Sequence, residues 1–247
     1  SAVYTKEGIA HSYYSIYKNA DLVFMDKKIC SEAPVRYIVS GMVDTLAKWI
    51  ETKAYTGPIE NKNTELEIAI MLAKKSYNEI LEYGEKAVED VKNGVYSKEV
   101  DMMLEHNILT AGLVGGIGGE ACRAVAAHAI NNGFTALPRI YNNNLHGEVV
   151  GFGNLVQLIL DGTKDEAIKI AQNYINAGFS VDVGYMQLNS DNFKQLNTTL
   201  ENALEPCKNI YLSSTIFYNF YKDTSKKDSS ITRVQKSLSA YNTGSYE

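Results

Sequence analysis

The sequence predicts a mainly α protein, and three observations carry that expectation. Apolar residues recur at three- and four-residue spacing through most of the chain. Capping residues stand where those patterns start and stop, and two-residue alternation is confined to short stretches. The opening, SAVYTKEGIAHSYYSIYKNADLVFMDKKI, reads as two short strand-like stretches with no helix before them. From Ala33 the pattern turns helical: Pro34 suits a first helical position, and Ile38, Met42, Thr45 and Trp49 share one face. A long second helix is expected over 65–93, closed by Asn93-Gly94 as a left-handed cap. Ser97 caps a third, carrying Val100, Met103, Leu104 and Ile108.

The glycine-rich GLVGGIGGE (112–120) is expected to lead into a helix at about 120–131 that ends at NNG, and 134–145 reads as a connecting loop. A further helix starts near His146 and runs to Asp161-Gly162. Thr163 and Glu166 have capping-box spacing for the next, which Gly178 stops. SVDVGYMQLNSDNF then mixes alternation with turn signals. Helices at 206–221 and 230–241 follow, separated by the charged, serine-rich KDTSKKDSS. No internal repeat of fixed period is found.

Composition narrows the function. A length of 247 residues suits one large or two modest domains. The net charge of −5 argues against nucleic acid or an anionic membrane as the main partner, since phosphate binding needs a basic face. No apolar run approaches the roughly 18–20 residues of a membrane span, and no signal-peptide pattern opens the chain. Cys30, Cys122 and Cys207 are odd in number and widely spaced, which is neither a disulfide framework nor a metal knuckle. The first two fit a reduced compartment.

Three residues stand out as candidate metal ligands. His128 lies among alanines in AAHAINNGF, sharing a helix face with Ala121, Ala124, Val125 and Asn132. Those small neighbours leave room for a ligand, or simply for helix packing around a core histidine. His146, in LHGE, follows eighteen residues later and fits a helix start equally well. Asp44 is one turn before Lys48, so an exposed ion pair is its ordinary role; Gly41, one turn earlier, would instead let something approach it closely. One carboxylate and two imidazoles with an open position suit a catalytic zinc or ferrous ion. The spacing does not by itself make them converge. GGIGGE follows a helical pattern rather than a strand, so its glycines are read as permitting close packing or a tight bend, not phosphate binding.

The stretches SAVYT, YKNADLVFMDKKICSEAPVRYIVSGMVDTLAKWIE, GIGGEACRAVAAHAINNGF and HGEVVGFGNLVQL carry a family resemblance. From residue 1 to about 160 they resemble the C-terminal metal-binding domain of glycerol dehydrogenase, in the iron-containing alcohol dehydrogenase superfamily. The resemblance implies that Asp44, His128 and His146 are the metal ligands, holding zinc in the glycerol branch, with iron the alternative. It also implies glycerol or a small polyol as substrate and NAD as hydride acceptor. The family's nucleotide-binding domain precedes the point where this chain begins, so an inactive fragment is expected.

From about Thr163 the likeness changes. DEAIKIAQNYINAGFSVDVGYMQLNSDNF, ALEPCKNIYLSSTIFYNFY and VQKSLSAYNTGSY resemble the lytic transglycosylases of type IV secretion systems, which have a lysozyme-like fold. The resemblance implies that Gln187, Asn189, Tyr241 and Asn242 line a cleft for peptidoglycan fragments. Read without it, they are a turn at 184–190 and a helix end at 241–244. That family's catalytic glutamate belongs upstream and no counterpart is found; Glu120 and Glu148 stand in dehydrogenase-like context. The expectation is therefore a helical dehydrogenase C-terminal-type domain (1–160) joined near 160–163 to a partial lysozyme-like α segment (163–247). The first part implies a cytoplasmic location and the second a periplasmic one. Cut surfaces would favour self-association.

Overall fold

A computed structural model of the chain describes residues 2–14, 20–184 and 186–246, the side chains of 138 and 139 excepted. Ser1, residues 17–19 and Tyr185, which belong to the quoted motifs, lie outside that set. By packing, the chain divides into two compact units, Ser1–Asn173 and Tyr174–Glu247.

The first unit opens as its alternation predicts. Strands β1 (Ala2–Tyr4) and β2 (Ala10–Tyr13) pair antiparallel, with Ala2 opposite Tyr13. A short helix that periodicity could not reveal, α1 (Lys27–Ser31), is capped by the Asp26 side chain. Then comes α2 (Val35–Thr56), one residue later than expected because Pro34 is extended and serves as the cap itself. Ile38, Val39, Met42, Val43, Leu46, Ala47 and Ile50 make its buried face, wide enough to meet helices on two sides. The long α3 (Thr64–Lys92) starts at Asn63, whose side chain accepts from the Leu66 N–H, and ends at Asn93 with Gly94 at φ +69°.

Ser97 caps α4 (Lys98–Glu105) as its spacing predicts. A five-residue π-helical turn, His106–Thr110, joins it to α5 (Ala111–Gly118). The glycine-rich stretch expected to lead into a helix is thus itself mostly helix. Its Val114 joins Ala69, Ala73 and Cys122 in a core cluster; at Gly118 an added β-carbon would stand 2.8 Å from that of Ala69, and Gly119 takes φ +59°. A 3₁₀ turn, Gly119–Cys122, precedes α6 (Ala126–Phe134), and a short α7 (Pro138–Tyr141) lies inside the expected loop.

Helix α8 (His146–Leu160) packs on both α2 and α6. Two of its glycines make that approach close. A β-carbon on Gly147 would stand 1.9 Å from the Ser40 carbonyl oxygen, and one on Gly153 would stand 2.5 Å from that of Ala127. These contacts seat His146 and His128 beside α2. Helix α9 (Lys164–Ala177) follows Thr163, which gives its hydroxyl to the Leu158 carbonyl at 2.9 Å. Glu166 reaches Tyr77 and Lys53 instead of closing the capping box on Thr163. The boundary between the compact units falls within α9.

In the second unit, β3 (Asp182–Val183) and β4 (Leu188–Asn189) form a small antiparallel hairpin. The short helices α10 (Phe193–Leu196) and α11 (Leu200–Leu204) follow, then α12 (Pro206–Asp223) and α13 (Ser230–Thr243), which pack together. No single helix among the described residues is long and apolar enough to cross a membrane. Cys30, Cys122 and Cys207 are free thiols.

Candidate metal centre

Three helices of the first unit bring the three sequence-selected ligands together. Asp44 comes from the middle of α2, His128 from the first turn of α6, and His146 is the first residue of α8. One donor atom from each lies within 4.8 Å of the other two. Asp44 Oδ1 stands 3.3 Å from His128 Nε2 and 3.5 Å from His146 Nε2. Charge-assisted hydrogen bonds close to about 2.7–2.9 Å, so these contacts are long for ion pairs. They match the roughly 3.3–3.5 Å between donors around a tetrahedral zinc with ligands at about 2.0–2.2 Å.

The buried Oδ1 of Asp44 has no hydrogen-bond partner. A buried, orphaned carboxylate oxygen facing two imidazole nitrogens fits a cation better than it fits a finished hydrogen-bond network. Burial opposes the charge on Asp44, yet His128, His146 and Lys48 outweigh it and hold the carboxyl far below its usual range. Burial likewise disfavours the His128 cation, but the neighbouring Asp44 and Glu51 carboxylates prevail and push its pKa up to about 9. The His146 side chain is 47% exposed against 14% for His128, so the cluster opens on the His146 side.

The supporting residues were not selected from sequence. Glu51, two turns after Asp44 on the same face of α2, is 1% exposed. Its Oε2 takes His128 Nδ1 at 2.6 Å, and its Oε1 accepts from the N–H groups of Val125 (2.7 Å) and His128 (3.0 Å). Gln157, also 1% exposed, accepts from Ala126 and Ala127 N–H, both at 3.1 Å. The start of α6 is therefore capped from two other helices, which compensates for the lack of a side-chain cap of its own. A carboxylate seven residues after an aspartate was the available signal.

His146 is fixed differently. Glu148 accepts the Leu145 N–H at 2.7 Å and makes a bidentate pair with Arg36 at 2.6 and 2.7 Å, tying the start of α8 to α2. Burial would raise the Glu148 pKa, but Arg36 and the Leu145 N–H lower it. Its carboxylate is engaged in holding the start of α8. Gly41 does permit a close approach, but the occupant is protein. Asn107, in the π-helical turn, fills that space, donating to the Ile38 carbonyl and accepting from Thr45.

In the second unit, Tyr241 donates its hydroxyl to the Met186 carbonyl at 2.7 Å, which joins the end of α13 to the hairpin loop. Gln187, at φ +51°, gives its amide to the Gly184 carbonyl, and Asn189 gives its own to Asp182. Asn242 is exposed. The motifs thus meet through Tyr241 and Met186, while Gln187 and Asn189 spend polar groups on the local turn. Asn209, fully buried on α12, was missed from sequence: it donates to the Val183 and Ala203 carbonyls and accepts from the Met186 N–H.

Comparison with known proteins gives two likenesses. Glycerol dehydrogenase of Citrobacter freundii is 36% identical over 197 residues, 77% of this chain and 52% of that protein. Glycerol dehydrogenase of Thermotoga maritima is 37% identical over 163 residues, 65% of this chain and 43% of that protein. Among solved structures, a probable glycerol dehydrogenase from Sinorhizobium meliloti aligns at a TM-score of 0.65 with 26% identity, covering 72% of this chain and 50% of that one. The Schizosaccharomyces pombe glycerol dehydrogenase aligns at 0.65 with 27% identity, covering 73% and 46%. The chain spans about half the length of the curated relatives it matches. Residues 164–247 match the Transglycosylase SLT domain family. An alignment covering 77% of the chain cannot end before residue 164, so the two likenesses overlap.

Proposed function

We propose that residues 1–160 form the metal-binding part of a glycerol- or polyol-oxidising dehydrogenase, with Asp44, His128 and His146 as ligands of a zinc ion. The observation that carries this reading is the convergence of three donors from three helices around an orphaned carboxylate oxygen. The likeness to glycerol dehydrogenases supports glycerol or a small polyol as substrate and NAD as hydride acceptor. A bound zinc would supply a Lewis acid that stabilises the alkoxide of the alcohol. Asp44 contributes the negative charge, His128 and His146 contribute Nε2 donors, and the open side next to His146 gives access to substrate. The 247 residues assayed alone are expected to bind metal and polyol. Metal analysis tests this: about one zinc per chain supports the reading, and a metal-free chain after zinc loading rejects it.

A second reading applies to residues 163–247. The SLT match and the Tyr241–Met186 hydrogen bond between the two motifs favour a glycan-binding segment built on Gln187, Asn189, Tyr241 and Asn242. No residue there is assigned as the acid of a lytic transglycosylase. Titration of the chain with peptidoglycan fragments tests it, and binding unaffected by Tyr241→Ala would contradict these contacts.

A further inference from the structure

We infer that Glu51 is a positioning residue that sets the tautomer of the neutral His128 ring, holding Nδ1 protonated so that Nε2 is the nitrogen offered to a metal beside Asp44. This rests on the metal-centre reading above, and it concerns a residue that touches neither substrate nor the reacting atoms. A buried carboxylate has only acceptor atoms, so the imidazole nitrogen 2.6 Å from Oε2 must carry the proton. With Nδ1 committed, a neutral His128 has its lone pair on Nε2, the atom facing Asp44 Oδ1. The other oxygen of the same carboxylate accepts the backbone N–H groups of Val125 and His128. One side chain thereby fixes both where the ring begins and which nitrogen it offers. At 1% exposure Glu51 is shielded from solvent, which strengthens the contact.

Gln157 provides the internal contrast. It caps the same helix end through Ala126 and Ala127 but makes no bond to the imidazole. Its NH₂ group donates to the Ile50 carbonyl at 3.4 Å. If Glu51 acted only as a cap, the two residues would be equivalent in their effect on metal.

The variant that separates these roles is Glu51→Gln in the full chain. Its carbonyl oxygen can still accept the Val125 and His128 N–H groups, which turns its NH₂ toward Nδ1. A donor there forces the proton to Nε2 and blocks the ligand atom. Zinc affinity is expected to fall about 10–100-fold, the usual effect of losing such a partner. Nitrogen NMR of the metal-free chain, at a pH where the imidazole is neutral, should show Nδ1–H in the parent chain and Nε2–H in the variant. Gln157→Leu should destabilise the chain while keeping the parent tautomer and zinc affinity within about threefold, well short of that loss. An unchanged tautomer and affinity in Glu51→Gln overturns the inference, as does an equal loss of zinc in Gln157→Leu. Failure of the parent chain itself to bind zinc sinks the metal-centre reading, while the tautomer comparison still decides the role of Glu51. Should Glu51→Gln not fold, the parent tautomer alone decides, and Nε2–H there overturns the inference.

Discussion

His106 and His128 lie in the same compact unit, both shielded from water and both paired with a glutamate, yet they are finished in different ways. His106 has Nε2 on Glu79 at 2.7 Å and Nδ1 on Thr110 at 3.2 Å, so both ring nitrogens are partnered. His128 has Nδ1 on Glu51 but leaves Nε2 at 3.3 Å from a carboxylate oxygen that has no hydrogen bond. The first is a core histidine that closes a network inside the π-helical turn; the second is a network left open on one side. Burial therefore does not separate these two histidines. The count of satisfied nitrogens does.

The largest effect that would break this comparison is expected from Glu51→Ala. It strands the Val125 and His128 N–H groups and the imidazole in a buried site, and should cost about 3–5 kcal/mol of unfolding free energy in urea titration. A loss below about 1 kcal/mol would mean that water replaces the carboxylate. Next is His106→Ala, expected to cost about 1–3 kcal/mol by the same titration while zinc stoichiometry stays at the parent level. Asp44→Asn should abolish zinc binding measured by competition with a chelator, and it should also destabilise the metal-free chain, because it removes the charge whose pKa His128, His146 and Lys48 depress.

Acid sharpens the contrast further. Burial tends to raise the Glu79 pKa, but Lys75 and His106 overcome this and hold it below its ordinary 4.5. A depressed carboxyl stabilises the fold above that value and loses the contribution as pH falls through the folded pKa. The parent chain should therefore lose stability below about pH 4.5. In His106→Ala the slope should flatten, because one of the two partners lowering Glu79 is gone; an unchanged slope would assign the shift to Lys75 alone. The smallest effect is expected in the second unit, where Tyr241→Phe removes one exposed hydrogen bond and should cost no more than about 1 kcal/mol in thermal unfolding.

The long elements were legible because their signals are local. Ser97 caps where its side-chain oxygen can reach the N–H three residues on, and the 3.6-residue periodicity marks α2, α3 and α8. The short α1, α7, α10 and α11 were not, since four or five residues hold barely one turn. The helical state of the glycine-rich stretch reflects tertiary packing around Val114 overriding poor propensity. Asp44, His128 and His146 could be named from the family likeness, whereas no spacing rule links residues on three helices. Gln157 was invisible, because it caps a helix from another element and only the fold brings it there, while Glu51 offered no more than its seven-residue spacing from Asp44. The join expected near 160–163 concerns ancestry, and the boundary inside α9 concerns packing, so the two need not coincide.

The most direct test of the central claim is zinc content of the purified full chain after loading and dialysis, set beside Asp44→Asn. The account predicts about one zinc per parent chain and background in the variant. Background zinc in both would contradict it, leaving the open side of His128 as a geometry without a ligand.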